Sequence, residues 1–192
     1  MRTLSSLLLA VFLICATPVC IVRGQSPESG EIAINTPYVT SPPQIVDAML
    51  ELAKVGNNDV VYDLGCGDGR IVISAAKKYG AHGVGIDINA DRIGEARANA
   101  HAAGVDGQVV FETEDVFDSD IRNATVVAIY LLPEVNMRLR PRLLSELRPG
   151  TRVVTHSFAM GDWKPDKEVV VDGDPVYLWT VPAKQSSMPD GR

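Results

Sequence analysis

The sequence predicts an α/β protein with a doubly wound, mainly parallel sheet that ends in an antiparallel hairpin. Short apolar runs alternate with segments of helical periodicity from about residue 43 to residue 156. The strand cores are apolar without alternation, which is typical of strands buried on both faces of a parallel sheet. Two β-rich runs at the end are joined by Asp-Gly-Asp-Pro at 172–175, which indicates a hairpin.

The first half of the chain alternates between the two element types. A helix is expected from about Pro43, because the residues before a proline are extended and proline is tolerated in a first turn. Strands are predicted at 59–64, 83–87 and 108–112, with helices over 70–79 and 90–103 between them. Gly80 and Gly104 should end these helices, and Asn89 should cap the second.

The second half adds a strand over 124–131 and a helix over 133–147. This helix is predicted to break near Pro141, because an internal proline lacks the N–H and clashes with the preceding turn. A strand over 152–156 follows, and strands 167–171 and 176–181 form the hairpin.

The most informative motif is Asp-Leu-Gly-Cys-Gly-Asp-Gly-Arg at 63–70, with Asp87 closing the next strand. A strand, a glycine-rich turn and a helix, with a second carboxylate about twenty residues on, is typical of sites for adenosine-bearing cofactors. The spacing here is G-x-G-x-G, whereas nicotinamide dinucleotides favour G-x-G-x-x-G. Acids beside the glycines favour a cofactor with an ammonium group and no phosphate, and S-adenosylmethionine is such a cofactor.

From about residue 38 to residue 181 the chain resembles the seven-β-strand methyltransferases. The resemblance implies a Rossmann-like sheet of strand order 3-2-1-4-5-7-6. It implies that Asp63 lies near the methionine end of the cofactor, that Asp87 accepts both ribose hydroxyls, and that Asp115 binds the adenine amino group. The candidate cofactor-binding residues are Tyr38, Thr40, Asp63, Gly65, Cys66, Gly67, Gly69, Asp87, Ile88, Asp115, Val116 and Tyr130.

A narrower resemblance rests on Tyr-Val-Thr-Ser-Pro-Pro at 38–43, on residues 63–73 and on the segment from Phe158 to Pro165. These segments are similar to the small protein lysine methyltransferases, including the mitochondrial enzymes that act on the adenine nucleotide translocase and the ATP synthase c-subunit. The group is distantly related to the non-SET histone lysine methyltransferase. The resemblance implies that the loop before the first helix folds over the cofactor, although Thr40 and Ser41 would also suit helix capping.

Three residues are candidates for the acceptor side of the site: Tyr130, Glu134 and Trp163. Tyr130 and Glu134 lie in the loop after strand four, beside the expected position of the transferable methyl. Glu134 has an alternative role, since an acid in the first turn of a helix is favoured by the helix dipole alone. Trp163, with Phe158, would line an aromatic channel or cover the sheet edge. His156 is interpreted as a structural residue.

The composition and charge of the chain limit the classes of partner that we expect. A chain of 192 residues, 46% hydrophobic and with a net charge of −6, fits one globular domain, placed here at 36–183. No basic block appears, so we expect no nucleic-acid partner. The three histidines are scattered, so we expect no metal. We expect a monomer whose substrate is a protein lysine, with a small-molecule acceptor and a non-catalytic binding module as alternatives.

The first residues resemble a secretory signal peptide. Met1-Arg2 supplies a positive start, the run from Leu4 to Val22 is mostly apolar, and cleavage is expected after Gly24. An uncleaved N-terminal anchor is the alternative. We therefore expect an exported or membrane-anchored protein, although S-adenosylmethionine is made in the cytosol. Residues 25–35 are predicted to be a linker and 184–192 a flexible tail.

Overall fold

The computed structural model describes residues 38–183. The predicted signal peptide or anchor, the predicted linker and the predicted tail lie outside the described residues. Within 38–183, no helix is long and apolar enough to cross a bilayer.

Four helices and seven strands make up the described chain, and their order follows the predicted alternation. The helices are α1 (Pro43–Leu52), α2 (Arg70–Tyr79), α3 (Ala90–Ala103) and α4 (Pro133–Glu146). The strands are β1 (Val60–Leu64), β2 (His82–Asp87), β3 (Val109–Thr113), β4 (Val126–Ile129), β5 (Arg152–His156), β6 (Lys167–Val171) and β7 (Asp174–Thr180).

The seven strands form one sheet of order β3-β2-β1-β4-β5-β7-β6, which confirms the strand order that the resemblance implied. The first five strands are parallel, with Leu64 opposite Ile86 on one side and Ile129 on the other. Strand β7 runs antiparallel to β5 and to β6. The α/β class with a terminal hairpin is therefore confirmed.

The sheet is covered on both faces, as the apolar strand cores indicated. Helices α1, α2 and α3 contribute to one buried cluster, and α4 contributes to the other. Strands β1 and β4 are neighbours although they are not consecutive, so the winding direction reverses between them. In open α/β sheets, ligands bind outside the carboxyl ends of the strands at this reversal.

The ends of α2 and the cap and end of α3 lie where the sequence predicts them. Gly80 and Gly104 follow α2 and α3 with positive φ angles of 69° and 70°. The side chain of Asn89 accepts hydrogen bonds from the backbone N–H groups of Asp91 and Arg92, which caps α3.

The predicted break near Pro141 is wrong, because α4 runs unbroken from Pro133 to Glu146. The carbonyl that loses its partner belongs to Met137, a residue on the exposed side of the helix. Leu139 and Leu143 are fully buried on either side of Pro141 and hold the helix against the sheet.

The hairpin turn is shorter than predicted. Only Asp172 and Gly173 lie between the strands, since Val171 already pairs with Asp174. Both turn residues have positive φ angles, 53° and 95°, as a two-residue turn of type I′ requires. Pro175 therefore lies within β7, next to the edge strand, and does not belong to the turn.

Candidate functional site

A cavity of about 440 Å³ opens at the carboxyl ends of β1, β2 and β4. Its walls come from the glycine loop after β1, from the ends of β2 and β4, from the turn after β3 and from the segment before α1. All the candidate cofactor-binding residues except Gly69 line it, and sequence reasoning missed several others. The missed lining residues include Val39, Ser41, Asp68, Arg70, Ile71, Asn89, Arg92, Phe117, Leu131 and Val135.

The glycine loop is shaped by positive φ angles and fixed to β2. Gly65 and Gly67 have φ angles of 84° and 51°, which favour residues without a Cβ. The N–H of Gly65 donates to the Ile86 carbonyl at 2.8 Å, and the N–H of Gly67 donates to Asp87 Oδ2 at 2.9 Å. The carboxylate at the end of β2 therefore holds the loop and faces the same cavity.

Gly69 serves the helix and not the cavity lining. It precedes α2 with a φ of 79°, and a Cβ there would come within 2.6 Å of Phe111 Cε1. The glycine thus allows the start of α2 to pack closely on β3. Its predicted contact with a cofactor has no counterpart in the lining of the cavity.

Asp63 is the most unusual ionisable group in the cavity. It is 2% exposed, and no donor within 38–183 bonds its oxygens. Burial raises the pKa of its carboxyl to about 8, with smaller contributions from the charges of Asp87 and Asp68. A buried carboxyl without a partner in a ligand-sized cavity fits a cationic ligand group.

Two further carboxylates have acceptor capacity left. Asp87 accepts one hydrogen bond on each oxygen, from Gly67 and Asn89, and each oxygen has a second lone pair. Asp115 accepts from the Phe117 N–H through Oδ1, and within 38–183 nothing donates to its Oδ2. Hydroxyl and amino donors of an adenosine suit these acceptors.

Residues 38–42, called the strap below, cross the open side of the glycine loop. Tyr38 lies over Gly67, and the guanidinium of Arg92 lies 3.7 Å from the Tyr38 ring centroid. Arg70 pairs with Asp68 in the loop and donates from Nη1 to the Ser41 carbonyl at 2.9 Å. The predicted proximity of Tyr38 and Thr40 to the cavity agrees with this arrangement, since both residues line it.

Tyr130 forms the wall on the other side, just beyond β4. Its ring packs against the buried ring of His156, with centroids 3.9 Å apart, and stacks on Phe158 at 6.3 Å. Leu131 and Val135 extend this wall with apolar surface. The arrangement provides an aromatic and apolar side beside the glycine loop.

The other two acceptor-side candidates lie elsewhere. Trp163 is half-buried against Trp179, with ring centroids 5.8 Å apart, and does not line the cavity. This position agrees with its alternative role as a cover for the sheet edge. Glu134 is exposed in the first turn of α4 and is also absent from the lining.

Cys66 lines the cavity as a small buried side chain. It is 5% exposed, and burial, with the charges of Asp63 and Asp87, raises the pKa of its thiol far above its usual range. A protonated thiol is a poor nucleophile. The structure thus gives Cys66 no role beyond packing at the glycine turn.

The lining residues that the sequence did not predict lie on a helix surface or reach the cavity through contacts between distant segments. Arg92 lies in the first turn of α3, where an arginine is usual on a helix surface. Ser41 and Arg70 reach the cavity through a contact between segments 29 residues apart. Among these residues, only Arg70 could have been identified from the sequence, because it directly follows the glycine motif.

These residues fit S-adenosylmethionine. The unpartnered Asp63 suits a cationic group, and Asp87 and Asp115 offer acceptors for the sugar and the base. No group of three or more acidic, histidine or cysteine residues within 38–183 has the geometry of a metal site.

The chain matches the model of the ANTKMT methyltransferase domain over residues 63–167. It is similar to a protein-lysine N-methyltransferase of Saccharolobus islandicus, at 47% identity over 77% of this chain and 94% of that protein. It is 31% identical to the mouse adenine nucleotide translocase lysine N-methyltransferase, over 78% of this chain and 65% of that enzyme.

A solved structure gives the same fold with a product bound. It is described as an RNA methyltransferase from Salinibacter ruber in complex with S-adenosyl-L-homocysteine. The two are 54% identical, the match covers 80% of this chain and 100% of the other, and the TM-score is 0.75. The glycine loop, the acidic residues and these comparisons agree, and the chain belongs to the family of the ANTKMT methyltransferase domain as an S-adenosylmethionine-dependent methyltransferase.

Proposed function

We propose that this methyltransferase transfers methyl groups to lysine side chains of proteins. The names of the archaeal and mouse relatives support this acceptor class. The chain spans nearly all of the archaeal enzyme but only 65% of the mouse one, so the archaeal relative carries more weight.

The observation that carries the proposal is the charge of the cavity. Two arginines line it, and each is already paired with a carboxylate: Arg70 with Asp68, and Arg92 with Glu95. Of its four aspartates, Asp63 is protonated in the ligand-free chain and Asp68 is paired, which leaves Asp87 and Asp115 without a basic partner. A negative cavity attracts a lysine ammonium and repels a polyanion. The four aspartates are Asp63, Asp68, Asp87 and Asp115.

The reaction needs positioning more than acid–base groups. When bound, S-adenosylmethionine would supply an activated methyl on a cationic sulfur: a neutral amine would take this carbon together with the positive charge, and the sulfur would be released as a neutral thioether. The wall of Tyr130, Leu131 and Val135 favours the neutral amine, because an apolar environment disfavours the charged form. The glycine loop and the strap limit motion on the other side.

RNA is the second candidate acceptor, because the structure from Salinibacter ruber is described as an RNA methyltransferase. Proteins that bind RNA usually carry basic surfaces that neutralise phosphates. This chain has 18 basic against 24 acidic residues, and its cavity is acidic. The charge therefore favours lysine.

Labelling separates these acceptors. The full chain is incubated with methyl-tritiated S-adenosylmethionine and with protein, RNA or small-molecule fractions of the source cells. We expect the label in the protein fraction, resistant to ribonuclease and sensitive to protease, with methyllysine identified after acid hydrolysis. Label in RNA or in small molecules alone would overturn the proposal.

A matched pair of variants shows that the label comes from this site. Asp87→Ala removes the acceptor that holds the Gly67 N–H and should abolish both labelling and binding of S-adenosylhomocysteine. Asp91→Ala, an exposed aspartate in the first turn of α3, should leave both intact. Labelling that survives Asp87→Ala would point to a contaminating enzyme.

We also propose that residues 1–24 direct the chain to a membrane or out of the cytosol. The support is the apolar run that follows a positive start. Fractionation of cells carrying the full chain, with the mature N-terminus read by mass spectrometry, tests this. An N-terminus at Gln25 indicates cleavage, an intact chain in the membrane pellet indicates an anchor, and an intact chain in the cytosol contradicts the proposal.

A further inference from the structure

A buried histidine lies behind the cavity and contacts both of its sides. His156, at the end of β5, is 2% exposed, and its Nδ1 lies 2.9 Å from Ser41 Oγ in the strap. The face of its ring packs on Tyr130 at 3.9 Å. The edge of one imidazole thus meets the strap, and its face meets the opposite wall.

The hydrogen bond anchors the strap to the sheet. Ser41 is 3% exposed, so its hydroxyl is shielded from water and depends on His156 for a partner. The other anchors of the strap lie on the glycine-loop side, where Arg70 donates to the Ser41 carbonyl and Arg92 covers Tyr38. Losing the Ser41–His156 bond would therefore detach the strap from the sheet, while its contacts with Arg70 and Arg92 would remain.

The backbone beyond β5 completes the support of Tyr130. Ser157 has a φ of 62°, a conformation that is unfavourable for a non-glycine residue and persists only where neighbours fix it. Phe158 N–H donates back to the His156 carbonyl at 2.8 Å, and Thr155 Oγ1 donates to the Phe158 carbonyl at 2.6 Å. This tight turn brings the Phe158 ring onto Tyr130.

The protonation state of His156 suits this arrangement. Burial lowers the pKa of the imidazole, while Asp174 on β7, 3.7 Å from Nε2, acts in the opposite direction. With its single proton on Nε2, on the side of Asp174, a neutral ring leaves Nδ1 to accept the Ser41 hydroxyl proton. Tyr130 and Ser41 are the other polar groups against it.

We propose that His156 is a positioning residue with two separable tasks: its Nδ1 holds the strap over the cofactor, and its ring face sets Tyr130 against the acceptor. The second task rests on the proposed lysine acceptor, and the first does not. His156 itself does not line the cavity, so it would act on the reactants only through Ser41 and Tyr130.

Two substitutions separate the tasks. His156→Phe keeps a ring under Tyr130 and removes the acceptor for Ser41. His156→Asn keeps an acceptor near the Nδ1 position and removes the ring. We expect His156→Phe to weaken S-adenosylhomocysteine binding about five- to tenfold, as expected for one hydrogen bond. His156→Asn should leave that affinity within about twofold of the wild type and raise the half-saturating concentration of the protein acceptor fraction.

Calorimetry measures the first quantity and titration of the labelled protein fraction measures the second. Ser41→Ala should reproduce the His156→Phe effect, and the double variant should bind no more weakly than either single variant. His101→Asn, on the exposed surface of α3, is the control. If both quantities shift together in both variants, or if neither shifts, the proposal is overturned.

The same set of variants distinguishes a failure of the proposal from a folding defect and from a wrong acceptor assignment. Thermal unfolding is measured for every variant, and Ser41→Ala supplies the strap arm if His156→Phe does not fold. If the wild type labels no protein, the lysine assignment fails while the affinity arm still decides the role of Nδ1. An unchanged affinity for S-adenosylhomocysteine in Ser41→Ala would contradict the role of Nδ1, whichever acceptor the enzyme uses.

Discussion

Tyr38 lies so closely across Gly67 that a Cβ built on the glycine would come within 2.6 Å of the Tyr38 Cε2 atom. The two residues are 29 positions apart and belong to the strap and to the glycine loop. The missing side chain at Gly67 thus has two effects: it permits the φ of 51°, and it leaves room for the aromatic ring that closes the cavity.

Gly67→Ala should therefore impair cofactor binding. The methyl group would displace Tyr38 from the loop and strain the backbone by about 1–2 kcal/mol. We expect the dissociation constant for S-adenosylhomocysteine, measured by calorimetry, to rise at least tenfold. Gly104→Ala is the matched control, because Gly104 has a φ of 70° and open space around it. The control should lose similar stability and keep its affinity, and equal affinity losses in both variants would contradict the steric argument.

Asp63 should make the ligand-free protein less stable as the pH rises. Its pKa is about 8 in the folded chain, against about 3.9 for an unfolded aspartate. Between these values the folded state binds more protons than the unfolded state, so the free energy of unfolding falls with increasing pH. Urea unfolding at pH 5, 6.5 and 8 should show this fall in the wild type and a smaller one in Asp63→Asn. Identical slopes would show that Asp63 is ionised in the folded chain.

The same carboxyl should release a proton when the cofactor binds. A cation placed beside Asp63 favours the ionised form, so binding at pH 7 should expel close to one proton, about 0.9 if the site is fully ionised in the complex. Calorimetry with S-adenosylmethionine in buffers of different ionisation enthalpy measures this number directly. Asp63→Asn should release none from this position, and a buffer-independent heat in the wild type would contradict the assignment.

The fold could be predicted from the sequence because its signals are local. The glycines at 80 and 104 end helices by a positive φ, which requires no knowledge of distant residues. The glycine loop and Asp87 can also be recognised in the sequence, because a strand, a turn and a helix follow one another directly. The strand order came from the family resemblance, because spacing alone does not fix which strands become neighbours.

The site was harder to predict wherever it depends on distant contacts. The bond between Ser41 and His156 joins residues 115 positions apart, and nothing near either residue indicates it. For Trp163 the sequence leaves two roles open, the acceptor channel and a cover for the sheet edge, because the packing of the indole against Trp179 is a contact between distant residues. The unbroken helix at Pro141 likewise depends on the buried leucines on either side, which helix propensity does not take into account.

Pro141→Ala should raise stability, because the intact helix bears the cost of an internal proline. An exposed alanine restores one backbone hydrogen bond in the middle of α4, and the larger entropy of the unfolded chain offsets part of the gain. We expect the free energy of unfolding to increase by about 1–2 kcal/mol in urea titrations. Pro133→Ala is the control at the first helical turn, where proline is well tolerated, and it should change stability by less. A loss of stability in Pro141→Ala would show that the proline fits this helix without strain.

Trp163→Ala tests whether this residue covers the sheet edge or serves the acceptor. The indole is half-buried against Trp179 and lies outside the cavity lining, so its removal should lower the free energy of unfolding by about 1–3 kcal/mol. The affinity for S-adenosylhomocysteine and the rate of protein labelling per folded molecule should stay within twofold of the wild type. Tyr130→Ala is the comparison from inside the cavity, and it should reduce the labelling rate at saturating cofactor. If Trp163→Ala lowers that rate tenfold while the protein remains folded, the indole reaches the acceptor and the covering role is wrong.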